Sequence, residues 1–213
     1  MTKQNAKKII EILQKTYPDA TCSLDFTTPF EMVVAVMLSA QCTDERVNKT
    51  TPKLFSRCKT IEDYANIDIK ELEKIIHPCG FYKNKAKNIK LCAKQVLDNY
   101  NGIVPNNMDD LLTLAGVGRK SANVILLEVY GIANGIAVDT HAKRISNLTG
   151  LSKEKEPEKI EKDLLKLIPK DYLAFVNHLF VWHGRNTCIA RKPKCDSCTI
   201  KNFCEFQKNK SGH

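Results

Sequence analysis

Apolar residues recur every three or four positions through most of this chain. In the first segment Ala6, Ile9, Ile10, Leu13 and Tyr17 fall on one face of a helix. No convincing strand, low-complexity tract or repeat interrupts this periodicity, and the connecting stretches have the short lengths found between packed helices. The sequence therefore predicts an all-α protein.

Helix boundary signals agree with this periodicity. Thr28 is a predicted N-cap, Pro29 suits the first helical position, and Glu31 completes a capping box. The helix that follows is apolar nearly all round, so we expect it at a domain centre. A longer helix is predicted over residues 81–100, stopped by Asn101 and Gly102.

A glycine turn, Gly116-Val117-Gly118, separates two further helical segments. Glycine tolerates positive φ and has no Cβ, so the backbone N–H groups of such a turn can press against a phosphate. Lys120 falls in the first turn of the next helix, where the helix dipole disfavours an ammonium and favours the neutral, nucleophilic amine. Asp139 follows an apolar run and is predicted to cap another helix. We therefore expect a lysine nucleophile and an aspartate that face each other at a DNA backbone.

Composition supports a polyanionic partner. The net charge of +9 and the high lysine and arginine content fit nucleic acid, although many basic proteins bind none. The N-terminus lacks the apolar core of a signal peptide, and the longest apolar run, residues 32–38, is too short to span a bilayer. We expect a soluble, intracellular protein, in which nine cysteines are not disulfide staples.

Four of these cysteines form a C-terminal cluster with the spacing C-x6-C-x2-C-x5-C: Cys188, Cys195, Cys198 and Cys204. Structural zinc sites generally use two well-separated C-x2-C pairs. One pair flanked by a single cysteine on each side suits the four corners of a 4Fe–4S cluster better, so iron–sulfur is favoured over zinc and over unliganded thiols. The other cysteines are scattered; Cys42 and Cys92 fall on helical segments and are expected to be small buried hydrophobes.

A basic segment accompanies the cluster. From Arg185 onward there are seven Lys or Arg residues against two acidic ones. Arg191, Lys192 and Lys194 lie between the first two cluster cysteines, where a metal-anchored loop would hold them apart as phosphate contacts. The alternative is that these charges only solubilise a tail.

Several motifs together resemble endonuclease III, the iron–sulfur member of the helix-hairpin-helix DNA glycosylases. The glycine turn alone occurs in many DNA-binding proteins, whereas the turn, lysine, aspartate and four-cysteine spacing in this order are highly specific. The resemblance covers nearly the whole chain and rests on LSAQCTD (38–44), LAGVGRKSAN (114–123), AVDTH (137–141) and HGRNTCIARKPKC (183–195).

The resemblance implies a two-domain helix-hairpin-helix glycosylase fold with a C-terminal 4Fe–4S cluster loop. A six-helix domain would cover residues 23–131, and a discontinuous cluster domain would combine residues 1–22 with 132–213, with the DNA cleft between the two domains. The implied partner is double-stranded DNA that contains damaged pyrimidines or abasic sites.

The implied reaction removes an oxidised pyrimidine and then breaks the strand. The damaged base is flipped out of the duplex, and neutral Lys120 attacks C1′ and displaces it. The resulting Schiff base allows β-elimination on the 3′ side, so one site is both glycosylase and abasic-site lyase. Asp139 would stabilise positive charge at the sugar and help to move the lysine proton. The cluster would be a structural scaffold for DNA binding, since neither step needs electrons.

The resemblance also suggests further DNA contacts. Gln41 would fill the gap that the flipped base leaves, and Phe81 stands where many relatives carry a leucine wedge. His141 would contact DNA or support Asp139. Arg119 of the hairpin and Arg185 beside the cluster are expected at the DNA backbone.

Four alternatives stay open at this point. An adenine-mismatch glycosylase of the MutY type usually lacks the lysine and carries an extra C-terminal domain, whereas Lys120 is present here and nine residues follow Cys204. A thymine-mismatch glycosylase differs only in pocket residues. An iron–sulfur electron carrier should be acidic and lack the hairpin, and a simple hairpin DNA-binding module would form no covalent intermediate. We expect a monomer without membrane contact, in the cytoplasm at the nucleoid.

Overall fold

The computed structural model of the chain describes residues 1–211, which form twelve α-helices joined by short loops and contain no strand. The all-α prediction is confirmed. In order, the helices are α1 (Lys3–Thr16), α2 (Pro29–Ser39), α3 (Asp44–Arg57), α4 (Ile61–Asn66), α5 (Ile69–Ile76), α6 (Tyr82–Tyr100), α7 (Met108–Thr113), α8 (Arg119–Tyr130), α9 (Thr140–Thr149), α10 (Pro157–Leu167), α11 (Leu173–Asn186) and α12 (Glu205–Ser211). Short 3-10 turns lie at His77–Cys79, Lys170–Tyr172 and Lys201–Phe203.

The chain divides into two compact units. The continuous unit is Ser23–Gly131, and the discontinuous unit combines Met1–Cys22 with Ile132–His213. The glycine turn belongs to the continuous unit, whereas Asp139 and the four cluster cysteines belong to the discontinuous one.

Helix α2 is the centre of the continuous unit. Its start is the predicted capping box: Thr28 Oγ1 accepts from the Glu31 N–H, and Glu31 Oε2 accepts from the Thr28 N–H. Every residue from Phe30 to Leu38 is buried, as the apolar run predicted. Such a helix has no face for water, so α3, α6 and α8 pack around it.

The discontinuous unit has its own core, built from segments far apart in the sequence. Helix α1 contributes Ile9, Ile10 and Leu13, which are fully buried with Phe180 and Val176 of α11. Helices α9 and α10 close the same core. Burying a side chain of this size contributes roughly 1.5–3 kcal/mol, so α1 is held by its apolar face.

Among residues 1–211, no helix is both long enough and apolar enough to cross a membrane.

Candidate functional site

The predicted glycine turn joins α7 to α8 and requires glycine at its first position. Gly116 has φ +79°, a conformation that side chains rarely adopt. A Cβ there would lie 3.0 Å from Asn88 Cβ and 3.3 Å from Met37 Sδ. Gly118, by contrast, is the extended N-cap of α8, and a Cβ on it would meet nothing within 4 Å.

The amides of this turn divide into two groups. The Val117 N–H donates to Leu114 O at 3.1 Å, and the Ala115 N–H donates to Gln95 Oε1 at 2.7 Å. Among residues 1–211, neither Gly116 nor Gly118 uses its exposed amide as a hydrogen-bond donor. The side chain of Val117 is buried and anchors the turn. The two exposed glycines on either side of it leave their amides open to a ligand.

Lys120 is the second residue of α8 and is exposed. The sequence placed it in the first turn of this helix, and that placement is confirmed. Its neighbour Arg119 is half-buried. The ammonium or amine of Lys120 therefore stands at the positive end of the helix dipole, within reach of a molecule that docks on the turn.

Asp139 caps α9, as predicted. Its Oδ1 accepts a hydrogen bond from the Ala142 N–H at 2.7 Å, and the side chain is half-buried. The apolar run before it is fixed from both sides: Asn177 Nδ2 donates to Ala137 O at 2.7 Å, and the Ile136 N–H donates to Glu161 Oε1 at 3.1 Å. The carboxylate thus projects from a backbone that other elements hold in place.

Helix α9 also carries a contact that sequence reasoning missed. Arg144 donates to Cys188 O from Nε at 3.1 Å and from Nη2 at 2.8 Å, and to Gly184 O at 3.1 Å. Its Nη2 lies 3.1 Å from His141 Nδ1. Arg144 therefore links the helix that Asp139 begins to the carbonyl of the first cluster cysteine. The only signal in the sequence was its place three residues after His141.

His141 packs against the backbone of α11 rather than standing alone. A Cβ on Gly184 would lie 2.4 Å from His141 Nδ1, so only glycine permits this approach. This contact holds the helix that Asp139 caps against α11, while DNA contact and support of Asp139 stay predictions for His141.

The four cluster cysteines line a single cavity, which the side chains of α9 and of the C-terminal segment complete. The apolar part of this lining includes Ile145, Leu148, Pro193, Ile200 and Phe206. Cys204 Sγ lies 3.3 Å from Leu148 O. Within residues 1–211, no three Cys, His, Asp or Glu side chains are arranged to hold a single metal ion. Four thiols around a shared space are what a 4Fe–4S cluster requires, so the residues fit this group.

A buried histidine supports this cavity. His183 Nε2 lies 3.7 Å from Cys198 Sγ, and its Nδ1 lies 3.1 Å from the Tyr17 hydroxyl. Burial, with the nearby Arg144 charge, lowers the pKa of His183 to about 4, so the ring is neutral. Burial also raises the pKa of the Cys188 and Cys198 thiols. Iron binding offsets that effect, because the metal takes the thiolate form.

The cationic contacts predicted around the cysteine loop are all at the surface. Arg185, Arg191, Lys192 and Lys194 are exposed around the cysteine loop. The Lys194 N–H donates to Thr187 O at 2.9 Å, which closes the loop between the first two cluster cysteines. This hydrogen bond fixes the backbone of the loop that carries the exposed cations.

Phe81 lies outside the helix in which the sequence placed it, and Gln41 lies beyond the end of α2. Helix α2 ends at Ser39 and helix α6 begins at Tyr82, because both residues adopt left-handed backbone, with φ +54° at Gln41 and +47° at Phe81. Gly80, with φ +67°, turns the chain just before Phe81. Both side chains are exposed, Phe81 by 64%. Phe81 is thus a large apolar group held in water by a strained turn.

The expectation for Cys42 was wrong and that for Cys92 is confirmed. Cys92 is fully buried in α6. Cys42 lies in the loop between α2 and α3 and is partly exposed, because α2 ends at Ser39.

Comparison with known proteins gives consistent matches along the chain. Residues 34–170 match the family described as HhH-GPD superfamily base excision DNA repair protein, and residues 188–204 match the iron-sulfur binding domain of endonuclease III. Endonuclease III of Synechocystis is 50% identical over 203 residues, which cover 95% of this chain and 92% of that protein. Endonuclease III of Escherichia coli K12 is 40% identical over 207 residues, or 97% of this chain and 98% of that protein.

Two solved structures are similar over almost the whole length. A non-covalent endonuclease III–DNA complex has a TM-score of 0.93 and 40% identity, with all of both chains covered. A trapped endonuclease III–DNA covalent intermediate has the same score and identity, with 99% of both chains covered.

Proposed function

Because the chain belongs to the endonuclease III family of base-excision DNA repair proteins, we propose that it removes oxidised pyrimidines from duplex DNA and cleaves the strand at the resulting abasic site. It is a DNA glycosylase with lyase activity and holds a 4Fe–4S cluster on its four C-terminal cysteines. The observation that carries the mechanism is the position of Lys120, which is exposed at the start of α8 directly after a turn with two unused glycine amides.

The two compact units are the two domains of this enzyme. The continuous unit is the helix-hairpin-helix domain, since it contains α7, the glycine turn and α8. The discontinuous unit is the cluster domain, and it also supplies Asp139.

Duplex DNA is held through its phosphates. The Gly116 and Gly118 amides donate to one phosphate, and Arg119 adds charge beside them. Val117 contributes by fixing the turn, because its amide and side chain are used inside the protein. Arg185, Arg191, Lys192 and Lys194 give a second set of phosphate contacts around the cluster loop.

The damaged base is extruded because C1′ cannot be approached inside the base stack. Phe81 inserts between base steps and Gln41 occupies the gap in the stack. The left-handed backbone at both positions supports this assignment, since such strain collects at ligand-contacting sites.

Lys120 is the nucleophile. Its neutral Nζ attacks C1′, the bond between C1′ and the base breaks, and the base leaves. Proton loss and opening of the sugar ring give an imine between Lys120 and C1′. The imine acidifies the C2′ proton, and its removal expels the 3′ phosphate oxygen and breaks the strand.

Asp139 stabilises the positive charge that develops at the sugar and takes part in moving the lysine proton. As the N-cap of α9 it accepts from the Ala142 N–H, a contact that fixes the position of the carboxylate. His141 and Arg144 hold α9 against the cysteine loop and so act as positioning residues.

The cluster supplies a rigid anchor for the basic loop and no electrons for either step. Cys188, Cys195, Cys198 and Cys204 hold it, and His183 contacts one of these thiols. We place the enzyme in the cytoplasm at the nucleoid, because its substrate is duplex DNA, and we expect it to act as a monomer.

Borohydride trapping tests the mechanism. The purified holoenzyme is incubated with duplex DNA that carries one thymine glycol, and borohydride reduces the imine to a stable protein–DNA link. We expect a covalent band with the wild type and with Lys94→Ala, an exposed lysine of α6. We expect none with Lys120→Ala, although this variant still binds the duplex.

Absence of a band with the wild type, while the cluster absorbance and duplex binding are intact, would contradict the lysine mechanism. In that case the mismatch glycosylases and the simple hairpin module return as explanations. A covalent band from Lys120→Ala as strong as that of the wild type would show that the nucleophile is another residue.

A further inference from the structure

A buried lysine of α6 is hydrogen-bonded to two separate loops of the continuous unit. Lys85 Nζ donates to Leu38 O, in the last turn of α2, at 2.8 Å, and to Cys79 O, at the end of the 3-10 turn, at 2.9 Å. Lys85 is only 6% exposed. Within residues 1–211 no carboxylate forms an ion pair with this ammonium, so the two carbonyls are the groups that satisfy it.

Both carbonyls lie just before the residues with left-handed backbone. Leu38 precedes Gln41 by three residues, and Cys79 precedes Phe81 by two. Gln41 has φ +54° and Phe81 has φ +47°, values that neither residue type adopts readily. A strained backbone conformation persists only where the surrounding structure holds it. One ammonium therefore fixes the backbone from which both strained loops start.

Helix α6 also contacts the glycine turn. Lys85 and Asn88 lie three residues apart on this helix, so they share one face. Asn88 packs closely on the turn, since a Cβ on Gly116 would lie 3.0 Å from Asn88 Cβ. One concave surface is lined by Gln41, Phe81, Lys85, Asn88 and Gly116. Helix α6 thus sets the positions of Gln41 and Phe81 relative to the glycine turn.

A second lysine of α6 makes the same kind of contact elsewhere. Lys90 Nζ donates to Ala65 O at 2.9 Å and to Ile67 O, so it ties the end of α4 to α6. Neither Lys90 nor its two partners is among the described residues that line the concave surface. The two lysines share a helix and a type of hydrogen bond, and they differ in the loops that they hold. Lys90 is therefore a matched control for Lys85.

We propose that Lys85 is a positioning residue for base extrusion, which holds the loops of Gln41 and Phe81 at the spacing needed to enter the base stack. This inference rests on the proposed function, in which Phe81 inserts between base steps and Gln41 occupies the gap. Lys85 acts through these two residues, because its own ammonium is used inside the protein. Loss of its two hydrogen bonds releases both loops, while the glycine turn keeps its own hydrogen bonds.

The first measurement needs no DNA. Amide hydrogen exchange is compared for wild-type holoenzyme, Lys85→Met and Lys90→Met. The Cys42 and Gly80 amides are hydrogen-bonded within the two loops, and the Ile67 amide is hydrogen-bonded at the end of α4. We expect exchange at Cys42 and Gly80 to become about tenfold faster in Lys85→Met, because local opening is easier, and to keep its wild-type rate in Lys90→Met. The Ile67 amide should respond only to Lys90→Met.

Wild-type exchange at Cys42 and Gly80 in Lys85→Met would overturn the proposal. So would equal acceleration by both substitutions, because the effect would then come from general loss of stability. Should Lys85→Met fail to fold, Lys85→Gln takes its place, since its shorter amide reaches at most one of the two carbonyls. The same acceleration is expected for that variant.

The second measurement follows extrusion itself. Each lysine variant is combined with Lys120→Ala, so that no base is removed. The protein is then mixed with duplex DNA in which 2-aminopurine, whose fluorescence rises when stacking is lost, lies next to a thymine glycol. We expect the rise to be about tenfold slower with Lys85→Met, as for loss of the support of a strained site. With Lys90→Met it should match the Lys120→Ala parent.

The outcomes separate this inference from the proposed function. An equally fast rise with Lys85→Met and with the parent would overturn the role of Lys85 alone. A slower rise with wild-type amide exchange in both loops would also overturn it, because Lys85 would then not act by positioning them. No rise with the parent, together with no excision of thymine glycol by the wild type, would contradict the proposed function and the extrusion role with it.

Discussion

The glycine turn and the cysteine loop are held by different kinds of contact. The turn is built largely from its own residues: Gly116 supplies the left-handed backbone, Val117 bonds back to Leu114, and Gly118 starts α8. The cysteine loop depends on partners far away in the sequence. Arg144 donates to Cys188 O, and Cys204 Sγ contacts Leu148 O.

Because of this difference, the positions of Lys120 and Asp139 depend on different parts of the structure. Lys120 needs only a correctly formed turn at the start of one helix. Asp139 belongs to a helix whose middle and end both contact the cysteine loop, so its position depends on that loop as well as on its own cap. We therefore expect a substitution of a cluster cysteine to destabilise more of the protein than a substitution in the turn.

The largest effect is expected from removing a cluster ligand. Cys188→Ala should lose most of the iron and destabilise the protein by about 4 kcal/mol or more, since metal ligation contributes directly to folding. Iron analysis and thermal unfolding measure this. Cys92→Ala, a buried cysteine without a ligand role, should retain its iron; equal iron content in both variants would contradict the assignment.

A smaller effect is expected at the link between α9 and the loop. Arg144→Ala removes three donated hydrogen bonds and should lower the free energy of unfolding by about 2–3 kcal/mol, because charged donors are lost from two carbonyls. Urea unfolding, with iron release to a chelator, checks this. The neighbouring substitution Lys143→Ala is the control. Equal stability of the two variants would show that the hydrogen bonds of Arg144 do not stabilise the protein.

The smallest effects are expected inside the turn, where two glycines form a matched pair. Gly116→Ala meets both a positive φ and Asn88, so it should cost about 1–3 kcal/mol of stability. Gly118→Ala has an ordinary φ and open space, so its stability should change by no more than about 0.5 kcal/mol. Thermal unfolding of both variants is the measurement, and equal losses would mean that the turn is not locally determined.

Local signals explain which features could be predicted from the sequence. The capping box at Thr28, the cap at Asp139 and the place of Lys120 in α8 all depend on residues within a few positions of each other. The contacts of Arg144 and His183 join residues from different helices or loops, so no local pattern contains them.

The ends of α2 and α6 were misplaced because they too depend on contacts between distant residues. Residues 40–41 continue the apolar and polar spacing of α2, and Phe81 continues that of α6. Left-handed backbone at Gln41 and Phe81 is not encoded by residue type, because neither is glycine or asparagine. Packing of the surrounding unit imposes it.

The most direct test of the account is to identify the atom that becomes attached to DNA. The borohydride-trapped complex is digested with protease and nuclease, and the modified peptide is sequenced by mass spectrometry. We predict a sugar remnant on Nζ of Lys120 and on no other lysine. A remnant on a different residue would contradict the central claim that the nucleophile stands directly behind the glycine turn.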